Sequence, residues 1–140
     1  MEGSGVPLLL IAVLIAAVVG VIYMLFSSKN TPQLNKEKYQ AKWLEIEHGL
    51  RRDNPSSYPL AVLNADKLLD QALRERRYKG NTMGERMKAA HDRWKNPNHV
   101  WGAHKVRNQL AHESDANISY DIAIRALSAF KQALKDLGAI

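Results

Sequence analysis

The chain has 140 residues, 46% of them hydrophobic, with no Cys and a formal net charge of +6. The lack of Cys excludes a disulfide framework, a thiolate metal site, a Cys nucleophile and a thioether-linked lipid anchor. A charge-free run from Val6 to Phe26 holds a large share of the apolar side chains, and the roughly 110 residues beyond it suffice for one core but not for a multidomain enzyme.

Val6 to Phe26 is 21 residues long. At about 1.5 Å per residue, a helix of that length spans about 30 Å, the thickness of a bilayer core. Only a helix satisfies such a segment's backbone in lipid. Pro7 falls in the first turn, where its missing N–H costs nothing. Tyr23 falls at interface depth. A cleaved signal peptide fits poorly: no positive charge precedes the run, the run is too long, and no small-residue cleavage site follows. The segment 6–26 is therefore expected to be a single-pass membrane anchor. Its N-terminal flank offers only Glu2 and the terminal amine, while its C-terminal flank offers Lys29, Lys36, Lys38 and Lys42. Positive residues stay in the cytoplasm. Residues 1–5 are thus expected outside the cell membrane and the C-terminal domain on its cytoplasmic face. All 20 Lys and Arg and 13 of the 14 Asp and Glu lie beyond the anchor, a net charge of +7. That balance suits a phosphate-rich partner, either nucleic acid or an anionic lipid surface.

Residues 27–33 are polar, carry Pro32, and read as a linker. From about Leu34 to Arg52, Tyr39, Trp43, Ile46 and Leu50 recur at helical spacing. Asn54-Pro55-Ser56-Ser57 breaks that helix. A second helix is expected from about Tyr58 to Tyr78, with Val62, Ala65, Leu69 and Ala72 as its stripe, widened by Leu68 and Leu73. Arg74, Arg76, Arg77 and Lys79 fall near its end, where cations favour the helix dipole, with Gly80 as the expected cap. Thr82-x-x-Glu85 is a capping box for a third helix, striped by Met83, Met87, Ala90 and Trp94. Asn96-Pro97 opens a fourth, to about His112. A fifth runs from near Ser119 to Leu137, with Tyr120, Ile124, Leu127, Phe130 or Lys131, and Leu134 in line, and Gly138 ends it. No stretch alternates with a period of two between hairpin turns, so almost no sheet is expected. Residues 34–140 read as an all-α antiparallel bundle of about five helices.

The fourth helix carries the chemistry. His104, Asn108 and His112 are spaced i, i+4, i+8, and Arg107 lies beside His104. An Arg with an imidazole and an amide makes a compact set for handling phosphate. Arg binds phosphate oxygens bidentately and keeps its charge. His can take or give a proton at neutral pH. The competing structural reading pairs Arg107 with a carboxylate inside the bundle and leaves His112 to cap the helix end. No metal is called for: there is no His-Glu-x-x-His, and His104 with His112 lacks a third ligand. There is no phosphate-cradling Gly loop and no Ser nucleophile context. Trp43, Trp94 and Trp101 read as bundle packing before base stacking. The cluster of Arg74, Arg76, Arg77 and Lys79 reads as a solvated helix end, or as an RNA-binding surface together with Lys105.

Arg107-Asn108-Gln-Leu-Ala-His112 resembles the R-N-x-x-x-H motif of HEPN domains, small helical bundles of which many are metal-independent endoribonucleases. Its context, a helix-rich domain with the motif in the penultimate helix, is similar too. So is the stretch Ala65-Asp66-Lys-Leu-Leu-Asp70-x-x-Leu73, followed by Gly80-x-Thr82-Met-x-Glu-Arg-Met87. The resemblance covers roughly Leu34 to Leu137 and not the anchor. It implies that Arg107 positions the scissile phosphate, that His112 is general acid or base for attack by the RNA 2′-hydroxyl, and that Asn108 orients substrate or the Arg. It implies support for the Arg from an acidic residue on an earlier helix, a place open to Asp66 or Asp70, with His104 nearby. No cofactor is implied. The expected function is a membrane-tethered ribonuclease, such as a toxin, a defence or a stress effector with an antitoxin or other protein partner. The alternative is a non-catalytic module for binding or dimerisation. A homodimer is expected, with Arg107 and His112 of both chains lining one groove, because acid–base cleavage needs two proton-transfer groups.

Overall fold

A computed structural model describes residues 5–28 and 31–140. The segment before Gly5, expected outside the membrane, and Lys29, used to assign topology, lie outside the described residues. Those described form six helices and no strand: α1 (Gly5–Ser28), α2 (Lys36–Gly49), α3 (Ser57–Glu75), α4 (Met83–Ala89), α5 (Pro97–His112) and α6 (Tyr120–Asp136).

The helix α1 belongs to one unit of the chain and Pro32–Ile140 to another. Within α1, Val6–Leu25 has a mean hydropathy of 3.0, and none of it is buried. It is long and apolar enough to cross a membrane, a length and composition that a signal sequence shares. It also runs further than the apolar pattern, through Ser27 and Ser28 into the segment expected as linker.

The second unit starts where Asn35 caps α2, its side chain accepting from Lys38 N at 3.0 Å. Tyr39, Trp43 and Ile46 point inward from α2. The central helix is α3, which packs against α2, α4, α5 and α6, while α5 also packs on α6. Its position explains its sequence: Ala61, Val62, Ala65, Leu68, Leu69, Ala72 and Leu73 are all buried, a stripe wide enough to face several neighbours.

Helix α3 ends before the expected place. Arg77 takes φ +62°, and Tyr78 N donates back to Leu73 O at 3.0 Å while Arg77 N donates to Arg74 O at 2.8 Å. This is a Schellman closure with Arg, not Gly80, as its left-handed residue. Gly80 does something else. At φ +154° its Cα lies so close to α4 that an added Cβ would stand 2.7 Å from Arg86 N and from Glu85 Cβ. The capping box at Thr82 and Glu85 is formed in both directions. Met83, Met87, Ala90 and Trp94 are all buried, although α4 stops at Ala89 and Trp94 follows in the next turn. Trp94 Nε1 donates to Met87 O at 3.1 Å, which ties that turn back to α4.

Asn96 caps α5 and Pro97 occupies its first turn. In α6 the buried face is Ala123, Ala126, Leu127, Phe130, Ala133 and Leu134. Phe130 therefore belongs to the stripe and Lys131 does not, and Ile124 stands 42% exposed because it falls on the flank of that face. Gly138, at φ +70°, closes α6 as expected, with Ala139 N donating to Leu134 O. Arg76 Nε donates to Leu137 O at 3.1 Å and so joins the C-terminal ends of α3 and α6.

Candidate functional site

Asp66, buried on α3, uses both carboxylate oxygens on α5. Oδ1 stands 2.8 Å from His104 Nδ1, and Oδ2 stands 3.1 Å from Arg107 Nε. The Arg107 N–H is not aimed at that oxygen, so the second contact is an ion pair and not a hydrogen bond. A carboxylate facing Nδ1 places a proton on that nitrogen and leaves Nε2 for a ligand. The half-buried Arg107 keeps 35% of its side-chain surface open, and its Nη1 donates to Asn108 Oδ1 at 3.0 Å. The structural pairing of Arg107 with a carboxylate is thus present, without closing the guanidinium to solvent.

These residues line a groove of about 920 Å³ between α3, α4 and α5. Trp101, half-buried, forms part of the wall: its ring edge meets His104 at 6.1 Å between centroids, and its indole lies 3.9 Å from a Cβ built on Gly84. Six cationic side chains and three carboxylates line the groove, a local excess that favours anions. Trp43 and Trp94 are core residues. Among the described residues no three His, Asp or Glu side chains gather as metal ligands.

Asp70 does not support Arg107. One turn further along α3, it meets Arg86 Nε at 2.8 Å through Oδ1 and Arg74 Nε at 3.0 Å through Oδ2. Arg86 is itself buried, and its Nη1 donates to Gly80 O at 2.7 Å. Arg86 falls within the second stretch that carries the HEPN resemblance, which implies no role for it. The capping box at Thr82 fixes the start of α4, and so puts position 86 on the face turned to α3 along with Met83 and Met87.

His112 is not brought to the groove. It is exposed and is the last residue of α5. Five residues at about 100° each rotate it some 140° from Arg107, and eight carry it about 80° off His104. Of the basic residues expected to hold RNA, Arg74 and Lys105 line the groove. Arg76 is committed to Leu137 O, and Arg77 and Lys79 stand exposed beyond the end of α3, outside the groove lining.

Displaced titrations occur elsewhere. Burial, then the neighbouring Glu75, pushes the Tyr39 hydroxyl up. The hydrogen bond from Lys131 holds Glu47 below its ordinary value, and that from Gln71 does the same for Glu75. None of the three lines the groove. The chain matches no family model, no curated protein and no solved structure.

Proposed function

We propose that the unit Pro32–Ile140 is a HEPN-like domain, tethered to the cytoplasmic face of a membrane by α1, that binds RNA in the α3–α4–α5 groove and cleaves it without a metal. The observation that carries the reading is Arg107, held by buried Asp66 yet open to a groove with an excess of cations. A guanidinium fixed in this way receives a phosphodiester bidentately without first losing side-chain freedom. Asn108, bonded to Arg107, orients it. His112, outside the groove of its own chain, serves as a proton-transfer group from a second copy. The same placement of His112 favours a second reading, in which the groove binds RNA and cuts nothing.

The test is incubation of the full-length chain in detergent micelles with total RNA in excess EDTA. Cleavage abolished by Arg107→Ala, with helicity unchanged by circular dichroism, supports the enzyme. RNA binding that depends on Arg107 without any cleavage supports the binding module. Cleavage that needs a divalent ion overturns the mechanism.

A further inference from the structure

We propose that His104 is the general base of this cleavage, and that Asp66 orients it; the proposal rests on the ribonuclease reading above. The sequence places His104 in register with Asn108 and His112 and gives it a supporting place only. The fold gives it a defined place. One buried carboxylate holds His104 through Oδ1 and Arg107 through Oδ2, on successive turns of α5. A proton-transfer group and a phosphate-binding group are thereby fixed to each other through Asp66, within one chain. His112 of the same chain has no such support.

The Asp66 contact commits Nδ1 and leaves Nε2 as the nitrogen able to accept a proton. The ring lies in the groove wall with 11% of its side chain open, next to Trp101. With a phosphodiester on Arg107, His104 Nε2 takes the proton of the ribose 2′-hydroxyl. O2′ then forms its bond to phosphorus as the bond from phosphorus to O5′ breaks. O5′ leaves with a proton from His112 of a second copy, and a 2′,3′-cyclic phosphate remains. Asp66 stabilises the imidazolium formed on His104, which later returns its proton to solvent. Asp66 is a positioning residue here, and His104 is the catalytic one.

The experiment uses the full-length chain in detergent micelles and two RNA substrates in EDTA. One is ordinary. In the other the scissile O5′ is replaced by sulfur, a leaving group that needs no proton. His104→Ala is expected to slow cleavage of both substrates by roughly 10²- to 10⁴-fold, with RNA affinity changed less than about threefold. His112→Ala is expected to slow only the ordinary one. Added imidazole should restore part of the rate to His104→Ala. Asp66→Asn should slow cleavage of both, because the wrong tautomer is favoured. His104→Gln, which still offers an N–H to Asp66, gives the same reading if the Ala variant does not fold. Wild-type rates in either His104 variant, or rescue of either by the sulfur substrate, would overturn the assignment. Arg107→Ala abolishing cleavage while His104 variants cleave normally would leave the ribonuclease reading standing and this one refuted. No metal-free cleavage by the wild-type chain would refute both.

Discussion

At the residue scale, Asp66 matters because it is the buried carboxylate on which two α5 side chains depend. Removing it leaves His104 facing an emptied site and Arg107 without its counter-charge. A buried polar group deprived of its partner costs about 1–3 kcal/mol. Asp66→Ala is expected to destabilise the domain by about 2 kcal/mol, and Asp66→Asn by less, since the amide N–H can still donate to His104 Nδ1; urea titration followed by circular dichroism measures both. Two other carboxylates make stability depend on acid. Glu47 and Glu75 have folded-state values depressed from the ordinary 4.5. Groups shifted down contribute stability that is fully present above 4.5 and is lost as pH falls below it through the depressed values. Both side chains are more than a third exposed, so each contributes only about 0.5 kcal/mol. The double variant Glu47→Gln/Glu75→Gln should flatten the stability profile over that acid range, as measured by thermal melts at stepped pH. The sequence disclosed the motif because Arg107, Asn108 and His112 are near neighbours on one helix. It could not choose between Asp66 and Asp70, since both stand at core-facing spacing one turn apart. Arg86 decides it by claiming Asp70, and Arg86 lies 16 residues away. The pairing of Asp66 with His104, 38 residues apart, has no local signature at all.

At the scale of elements, the helices were legible wherever a cap and a stripe agreed. Asn96, Thr82 and Ser119 each accept a backbone N–H at the start of the helix they were expected to open. The end of α3 departs from the expected place because an Arg, not the nearby Gly, takes the left-handed conformation there. Gly80 is needed for the approach of the loop to α4 instead. Gly80→Ala must push a Cβ against the backbone of Arg86 and the Cβ of Glu85 at a strained φ, neither of which is a flexible side-chain end. The expected result is a loss of more than about 1 kcal/mol, together with displacement of α4 from the groove. Weaker RNA binding should accompany it, in a filter-binding titration. Thr82→Ala removes one half of the capping box and should cost about 1 kcal/mol while leaving Gly80 undisturbed. If α4 is only a groove wall, Thr82→Ala should raise amide exchange in α4 without raising it in α5.

At the scale of the whole molecule, the apolar helix and the proposed cleavage together predict one arrangement of copies. None of Val6–Leu25 is buried, and as the proposed anchor its apolar side chains would be met by lipid or by a second anchor. Confinement of chains to a membrane raises the effective concentration of each for the other. Ala12, Ala16 and Gly20 recur every four positions on α1 and permit close approach of two such helices. The proposed cleavage supplies the demand. Acid–base cleavage needs two proton-transfer groups on opposite sides of the phosphate. One groove contains His104 and Arg107, and its own His112 is turned away from it at the end of α5. A symmetric pair of chains meeting near the α5 ends would deliver His112 of each copy to the groove of the other. Full-length protein in its membrane should therefore form a homodimer. Engineered Cys at position 112 should crosslink to Cys placed at 105 on a second copy in an otherwise Cys-free chain. Mixing an Arg107→Ala chain with a His112→Ala chain should restore part of the activity that each lacks, because one groove of the mixed dimer is then intact. No crosslink together with no complementation would show that the chains act singly.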